Sequence, residues 1–193
     1  FFFKQKTAYE IVDCDWSSDV CSSDLDHRGP EFGAFGLQVL EGIKKIFKTE
    51  QPVIIYSASG TGSWEGALVN ILNPGDKVLF YETGQFANLW RALAKRLGLD
   101  VEVVGKPGQD TWRWGVDASV IEERLRKDTQ HEIKAICVVH NETSTGVTSN
   151  IAAVRKAIDS LKHPALLLVD SVSGLGSADY EHDKWGADVT VSG

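Results

Sequence analysis

Ala165-Leu166-Leu167-Leu168-Val169-Asp170-Ser171 is a nearly continuous apolar run that ends abruptly on a carboxylate and a hydroxyl. A strand covered on one face alternates apolar and polar residues; one covered on both faces does not need to. The run therefore predicts a central strand of a sheet sandwiched between helices. Its neighbours agree. Val53–Tyr56, Lys77–Tyr81, Val101–Val104, Ala135–His140 and Val189–Val191 read as further strands. Between them, apolar residues recur at helical spacing over Glu31–Phe47, Ser63–Leu72, Asn88–Leu97, Ala118–Arg126 and Ile151–Leu161, the last with Asn150 placed to cap it. Asn73-Pro74-Gly75-Asp76 is a strong turn signal, and Gly105–Asp117, with Trp112 and Trp114, is the least regular stretch. Strand and helix in alternation predict an α/β fold with three layers around a mostly parallel sheet.

The first 25 residues are set apart from this pattern. One choice of codons for Lys4–Ile11 and for Asp15–Leu25 reproduces the two constant blocks of a short-read sequencing adapter, in one frame and with an index-sized gap between them. Residues 1–25 are therefore expected to be a non-native, disordered segment, and the domain to run from Asp26 to Gly193. That leaves 168 of the 193 residues, enough for one sizeable core. The excluded segment carries two lysines against five acids, so the net charge of −7 becomes −4 for the remainder. A mildly acidic chain without a basic stripe speaks against a nucleic-acid partner. No stretch approaches the roughly 20 apolar residues of a membrane span, and cytoplasm is the default compartment. Of the three cysteines only Cys137 remains, inside an apolar run where a buried thiol is expected; no disulfide framework or metal-ligand spacing is present.

In open parallel sheets, ligands bind beyond the carboxyl ends of the strands. Four such ends carry polar residues expected to converge on one crevice: Ser59-Gly60-Thr61, Thr83-Gly84-Gln85-Phe86, His140–Gly146, and Asp170-Ser171. Ser59-Gly60-Thr61-Gly62 joins a strand to a helix, where free N–H groups, glycines and hydroxyls suit an anion; an ordinary tight turn is the alternative. Asp170 is costly to desolvate unless a cation or donors meet it, and it could equally cap the following turn. Phe86 suits either the core or a stacking platform, and His140–Gly146 either a site or a solvated turn.

Taken together, Ser59-Gly60-Thr61, His140-Asn141-Glu142-Thr143-Ser144-Thr145-Gly146-Val147 and Leu167-Leu168-Val169-Asp170-Ser171-Val172-Ser173 resemble the class V aminotransferase family, nearest the serine–glyoxylate and alanine–glyoxylate enzymes. Asp26-His27-Arg28-Gly29-Pro30-Glu31-Phe32 also resembles an early family segment. The resemblance implies the large domain of a fold-type I enzyme that uses pyridoxal 5′-phosphate (PLP), truncated, with amino-acid and 2-oxo-acid substrates and a homodimeric parent. By that resemblance Ser59, Gly60 and Thr61 hold the cofactor phosphate. Phe86 stacks on the ring where a relative has Trp, Val172 packs its other face, and Thr143 lies near the ring hydroxyl. Asp170 pairs with the pyridinium nitrogen, keeping the ring an electron sink.

The family's Schiff-base lysine follows a strand ending Ser-Gly-Ser-Gln-Lys, and is expected just past Val191-Ser192-Gly193; no lysine present matches that context, so this chain is expected to be inactive. The missing residues also leave the amino donor open, and a eukaryotic parent could be peroxisomal. A cysteine desulfurase is an alternative in the same cofactor class, but a histidine in place of Phe86 and a catalytic cysteine would be expected. A nucleotide-binding α/β module and a non-catalytic fragment or interaction protein are the readings from other classes.

Overall fold

Apolar residues at strand positions 78–81, 135–138 and 167–169 are buried on alternate sides, which makes the sheet the middle layer of three. The computed structural model describes residue 26, residues 28–105 and residues 113–193. The adapter-like segment 1–25, His27 and residues 106–112, including Trp112, lie outside the described residues.

The chain divides into two units, Phe1–Gly42 and Ile43–Gly193. In the first, Gly29 N–H donates to the Asp26 carbonyl at 2.7 Å just before helix α1 (Pro30–Phe47), which runs across the boundary and buries none of its side chains. The second contains α2 (Gly60–Ile71), β1 (Lys77–Tyr81), α3 (Gln85–Arg96), β2 (Asp100–Val104), α4 (Ala118–Lys127) and β3 (Ile133–Val139). After these come β4 (Asn141–Glu142), β5 (Val147–Thr148), α5 (Ile151–Ser160), β6 (Leu166–Asp170), α6 (His182–Trp185) and β7 (Val189–Val191).

Five strands pair in the order β2-β1-β3-β6-β7, every neighbour parallel. Because the side-chain period along a strand is two, each strand feeds both faces. Leu79 and Tyr81, Ile136 and Val138, and Leu167 and Val169 pack with Ile121 and Leu125 of α4 and with Ile151, Val154 and Ile158 of α5. Val78 and Phe80, Ala135 and Cys137, Leu168 and Val191 pack instead with Trp64 and Leu68 of α2 and Trp90 and Leu93 of α3. Asp117 and Asn150 cap α4 and α5 by accepting from the N–H groups of Ser119 and Ala153, each at 3.0 Å. Among the described residues no helix is long and apolar enough to cross a membrane.

Two expectations need correction. Val53–Tyr56 is not a strand: it has no ladder partner among the described residues, and Ile54 and Ile55 are 70% and 61% exposed. β-propensity favours a pleated surface but does not supply the neighbour that satisfies the backbone. Helices α2 and α3 each begin three residues earlier than their apolar spacing suggests, at Gly60 and Gln85, so Phe86 sits in a first helical turn and not on a loop. The turn read over His140–Gly146 is part of a β4–β5 hairpin between His140 and Ser149.

The chain leaves β1 for the outer strand β2 and returns to the other side of β1 as β3. This reversal opens a crevice at the carboxyl ends of β1 and β3, where ligands bind in such sheets.

Candidate functional site: a cleft at the strand ends

A cleft of about 180 Å³ lies at those ends, lined by Ser59, Gly60, Thr61, Trp64, Phe86, Val139, Asn141, Thr143, Asp170, Val172 and Ser173. The seven residues singled out in the sequence thus share one cleft: Ser59, Gly60, Thr61, Phe86, Thr143, Asp170 and Val172. His140 does not join them. Its ring is buried on the other side of the β3 end, against Tyr180 and Trp185, beside a separate cavity of about 490 Å³. Alternation explains the split, since residues 139 and 141 face one side of an extended backbone and residue 140 the other.

The first turn of α2 forms one wall. Ser59 takes the N-cap position with extended backbone, and its side chain makes no cap hydrogen bond. The N–H groups at the start of α2 consequently carry the partial positive charge of an unsatisfied helix end. A Cβ added at Gly60 would sit 2.9 Å from Val172 Cγ2, so only glycine lets this backbone approach the residues after β6. Ser63 Oγ ties the wall to the sheet, its one proton shared between the Gly60 and Ser192 carbonyls at 2.7 and 3.2 Å.

Asp170, the last residue of β6, is only 3% exposed. Val172 N–H donates to its Oδ1 at 2.8 Å, and Trp64 Nε1–H to its Oδ2 at 2.9 Å. The turn-capping role is therefore real but occupies one oxygen alone. No cation figures among its neighbours in the described residues, and burial pushes its carboxyl up to about 6. The two donors pull the other way, while the nearby Glu142 charge adds to the rise.

Glu142 forms the hinge of the opposite wall, with no exposed surface. Its oxygens accept from the N–H groups of Phe86 at 3.2 Å and Ala87 at 3.1 Å, the unsatisfied start of α3. They also take the Ser144 N–H at 3.2 Å and hydroxyl at 2.6 Å, and Ser144 Oγ in turn accepts from Gln85 N–H at 2.9 Å. A carboxylate 55 residues away thus caps α3 and fixes Phe86, which is why the helix starts earlier than its own sequence suggests. Asn141 is held on both amide atoms: Nδ2 donates to Ser173 Oγ at 3.0 Å, and Oδ1 accepts from Thr148 Oγ1 at 3.0 Å.

Asn141 belongs to the His140–Gly146 stretch expected at the crevice and does line it; Trp64 and Ser173 were not singled out from the sequence as cleft-lining residues, nor Glu142 as a cap. Trp64 fits a helical core pattern and is indeed buried; only its position four residues after Gly60 signalled that its indole could look back toward the wall formed by the start of α2. Among the described residues no group of histidines, cysteines or carboxylates could hold a metal ion. What the cleft offers is a helix start at one end, an apolar pair in Phe86 and Val172, and a buried carboxylate. That suits a flat, partly apolar molecule bearing an anion and a cationic nitrogen.

The chain is similar to known proteins in sequence and in fold. The family described as Aminotransferase class-V matches residues 12–193. The chain is 52% identical over 169 residues to a serine–glyoxylate aminotransferase of Methylorubrum extorquens, covering 87% of this chain and 41% of that one. It is 49% identical over 170 residues to an L-aspartate–glyoxylate aminotransferase of Paracoccus denitrificans, covering 88% and 42%. The crystal structure of an alanine–glyoxylate aminotransferase from Nostoc sp. superposes with a TM-score of 0.78 at 31% identity, over 88% of this chain and 43% of that one. The chain spans about two fifths of the length of these relatives. With the parallel sheet, the strand-end cleft and a match over most of its length, the chain belongs to the class-V aminotransferase family.

Proposed function

We propose that the cleft is the cradle of pyridoxal 5′-phosphate in an aminotransferase that passes an amino group to glyoxylate. The observation that carries this is Asp170: a buried carboxylate with two neutral donors, facing the same cleft as the uncapped start of α2. A carboxylate so placed is stabilised by a cation, and a protonated pyridine nitrogen supplies one.

In this reading Ser59, Gly60 and Thr61 hold the phosphate through N–H groups and hydroxyls at the helix start. Phe86 and Val172 hold the two ring faces, and Thr143 stands near the ring hydroxyl. Asp170 keeps the ring nitrogen protonated. When bound, the cofactor's protonated ring takes up the electron pair left as the substrate α-proton departs. Glu142 holds Phe86 in place through the backbone of α3 and so excludes water from that ring face. No lysine is among the described residues that line the cleft, so the lysine that moves the α-proton is assigned to none of them. Serine and alanine are the proposed amino donors and a homodimer the proposed assembly; relatives named for serine and for L-aspartate support the acceptor more firmly than the donor.

Equilibrium dialysis with pyridoxamine 5′-phosphate tests the reading, since this form binds without a carbonyl to trap lysines. The chain is expected to bind one equivalent saturably, and Asp170→Ala and Ser59→Ala/Thr61→Ala each to weaken binding at least tenfold. Absence of saturable binding, or tight NAD or ATP binding in its place, overturns it.

A further inference from the structure

We propose that Trp64 is the positioning residue of Asp170: its indole N–H holds one carboxylate oxygen, and an aromatic column behind it sets the plane of the indole. The inference rests on Asp170 being the ring-nitrogen partner, but its geometry stands without any ligand. Trp64 on α2 and Asp170 on β6 lie 106 residues apart, and both are almost fully buried. The Nε1–Oδ2 distance of 2.9 Å is that of a well-formed hydrogen bond.

Three features make this more than packing. Indole N–H can only donate, so Trp64 cannot accept the proton of a neutral Asp170; its bond is stronger to the charged carboxylate than to the acid. Val172 N–H holds the other oxygen at 2.8 Å, so one donor sits on each oxygen and the carboxylate plane is fixed. The indole itself cannot turn. It stacks on Trp90 with ring centroids 6.0 Å apart and planes 14° apart, and Phe80 meets Trp90 edge-on at 5.6 Å and 89°. Trp90 and Phe80 are fully buried, and Trp90 Nε1 has no hydrogen-bond partner among the described residues. A buried indole that forgoes its own hydrogen bond is there for its ring, and that ring backs Trp64.

Trp64 therefore biases Asp170 toward the ionised form against burial, and leaves each oxygen with a lone pair for a cation. The test uses the ligand-free 193-residue chain with ¹³C-carboxyl-labelled aspartate, the Asp170 resonance being assigned from its loss in Asp170→Asn. Two variants remove the N–H: Trp64→Phe, and the replacement of Trp64 by β-(3-benzothienyl)alanine, in which sulfur stands for N–H and the shape is kept. In both, the Asp170 titration midpoint is expected to rise by about one pH unit while other aspartates hold theirs, since loss of a donor to the charged form disfavours it. An unmoved midpoint in the sulfur variant overturns the proposal, because a purely structural indole would leave it there. Dialysis of the unsubstituted chain against pyridoxamine 5′-phosphate separates the two failures. If it binds nothing, the cofactor reading falls, while the titration still judges Trp64.

Discussion

Replacing Asp170 by Asn should change how the stability of the ligand-free chain depends on pH, and the size of the change follows from the burial of this one carboxyl. Its folded-state value of about 6 stands above the ordinary 3.8. The folded chain therefore holds the proton more tightly than the unfolded chain. This contribution is fully present below the unfolded value and is lost as pH rises through about 6. Between about pH 4.5 and about pH 7.5 the loss amounts to ~2 kcal/mol, at 1.36 kcal/mol per pH unit over the interval in which only the folded form is protonated. Asn carries no charge at either pH. Its amide has one acceptor oxygen to offer Val172 N–H and Trp64 Nε1–H, so it leaves one donor unmatched, but that cost is the same at both pH values and cancels. Urea unfolding followed by tryptophan fluorescence, on both chains at both pH values, gives the double difference. The expected result is a variant that gains ~2 kcal/mol on the unsubstituted chain in going from the lower pH to the higher. A double difference below about 0.5 kcal/mol would refute a strained, cation-seeking Asp170 and with it the central observation for a ring-nitrogen partner.

Gly60→Ala should keep the fold by circular dichroism yet weaken pyridoxamine 5′-phosphate at least tenfold, because the new methyl meets Val172 at 2.9 Å and pushes the α2 start out of place; unchanged dialysis would contradict the close-approach argument. Glu142→Gln should cost ~2–3 kcal/mol in urea unfolding, as an amide NH₂ replaces one of two oxygens that accept N–H groups at the start of α3. A cost near zero would show that α3 needs no such cap. The buried imidazoles of His140, His163 and His182 titrate below the ordinary 6.5 because burial disfavours their charged forms. Their contribution is complete above 6.5 and lost as pH falls below it, so His163→Gln should flatten the stability profile on the acid side of 6.5. An unchanged slope there would count against a neutral His163 between Asp128 and the Ala165 N–H.

The sequence by itself determined the layers. Runs such as Leu166–Val169 and Val78–Tyr81 must be buried on two faces, and the helical stripes between them supply the cover, so an alternating parallel sheet follows from local pattern and solvent exclusion alone. The strand-end glycines, hydroxyls and Asp170 were legible for the same reason, since polar groups interrupt apolar runs where the chain leaves the sheet. Tertiary structure alone decided the rest. Val53–Tyr56 has the composition of a strand but no partner among the described residues, and His140 turned to the opposite face from Val139 and Asn141. The true start of α3 depends on Glu142, 55 residues downstream, and the setting of Asp170 on Trp64, 106 residues upstream. Local propensity cannot encode such pairs. A hydrogen bond between buried groups is worth most where water is excluded, and which groups meet there is settled only when the helices pack on the sheet.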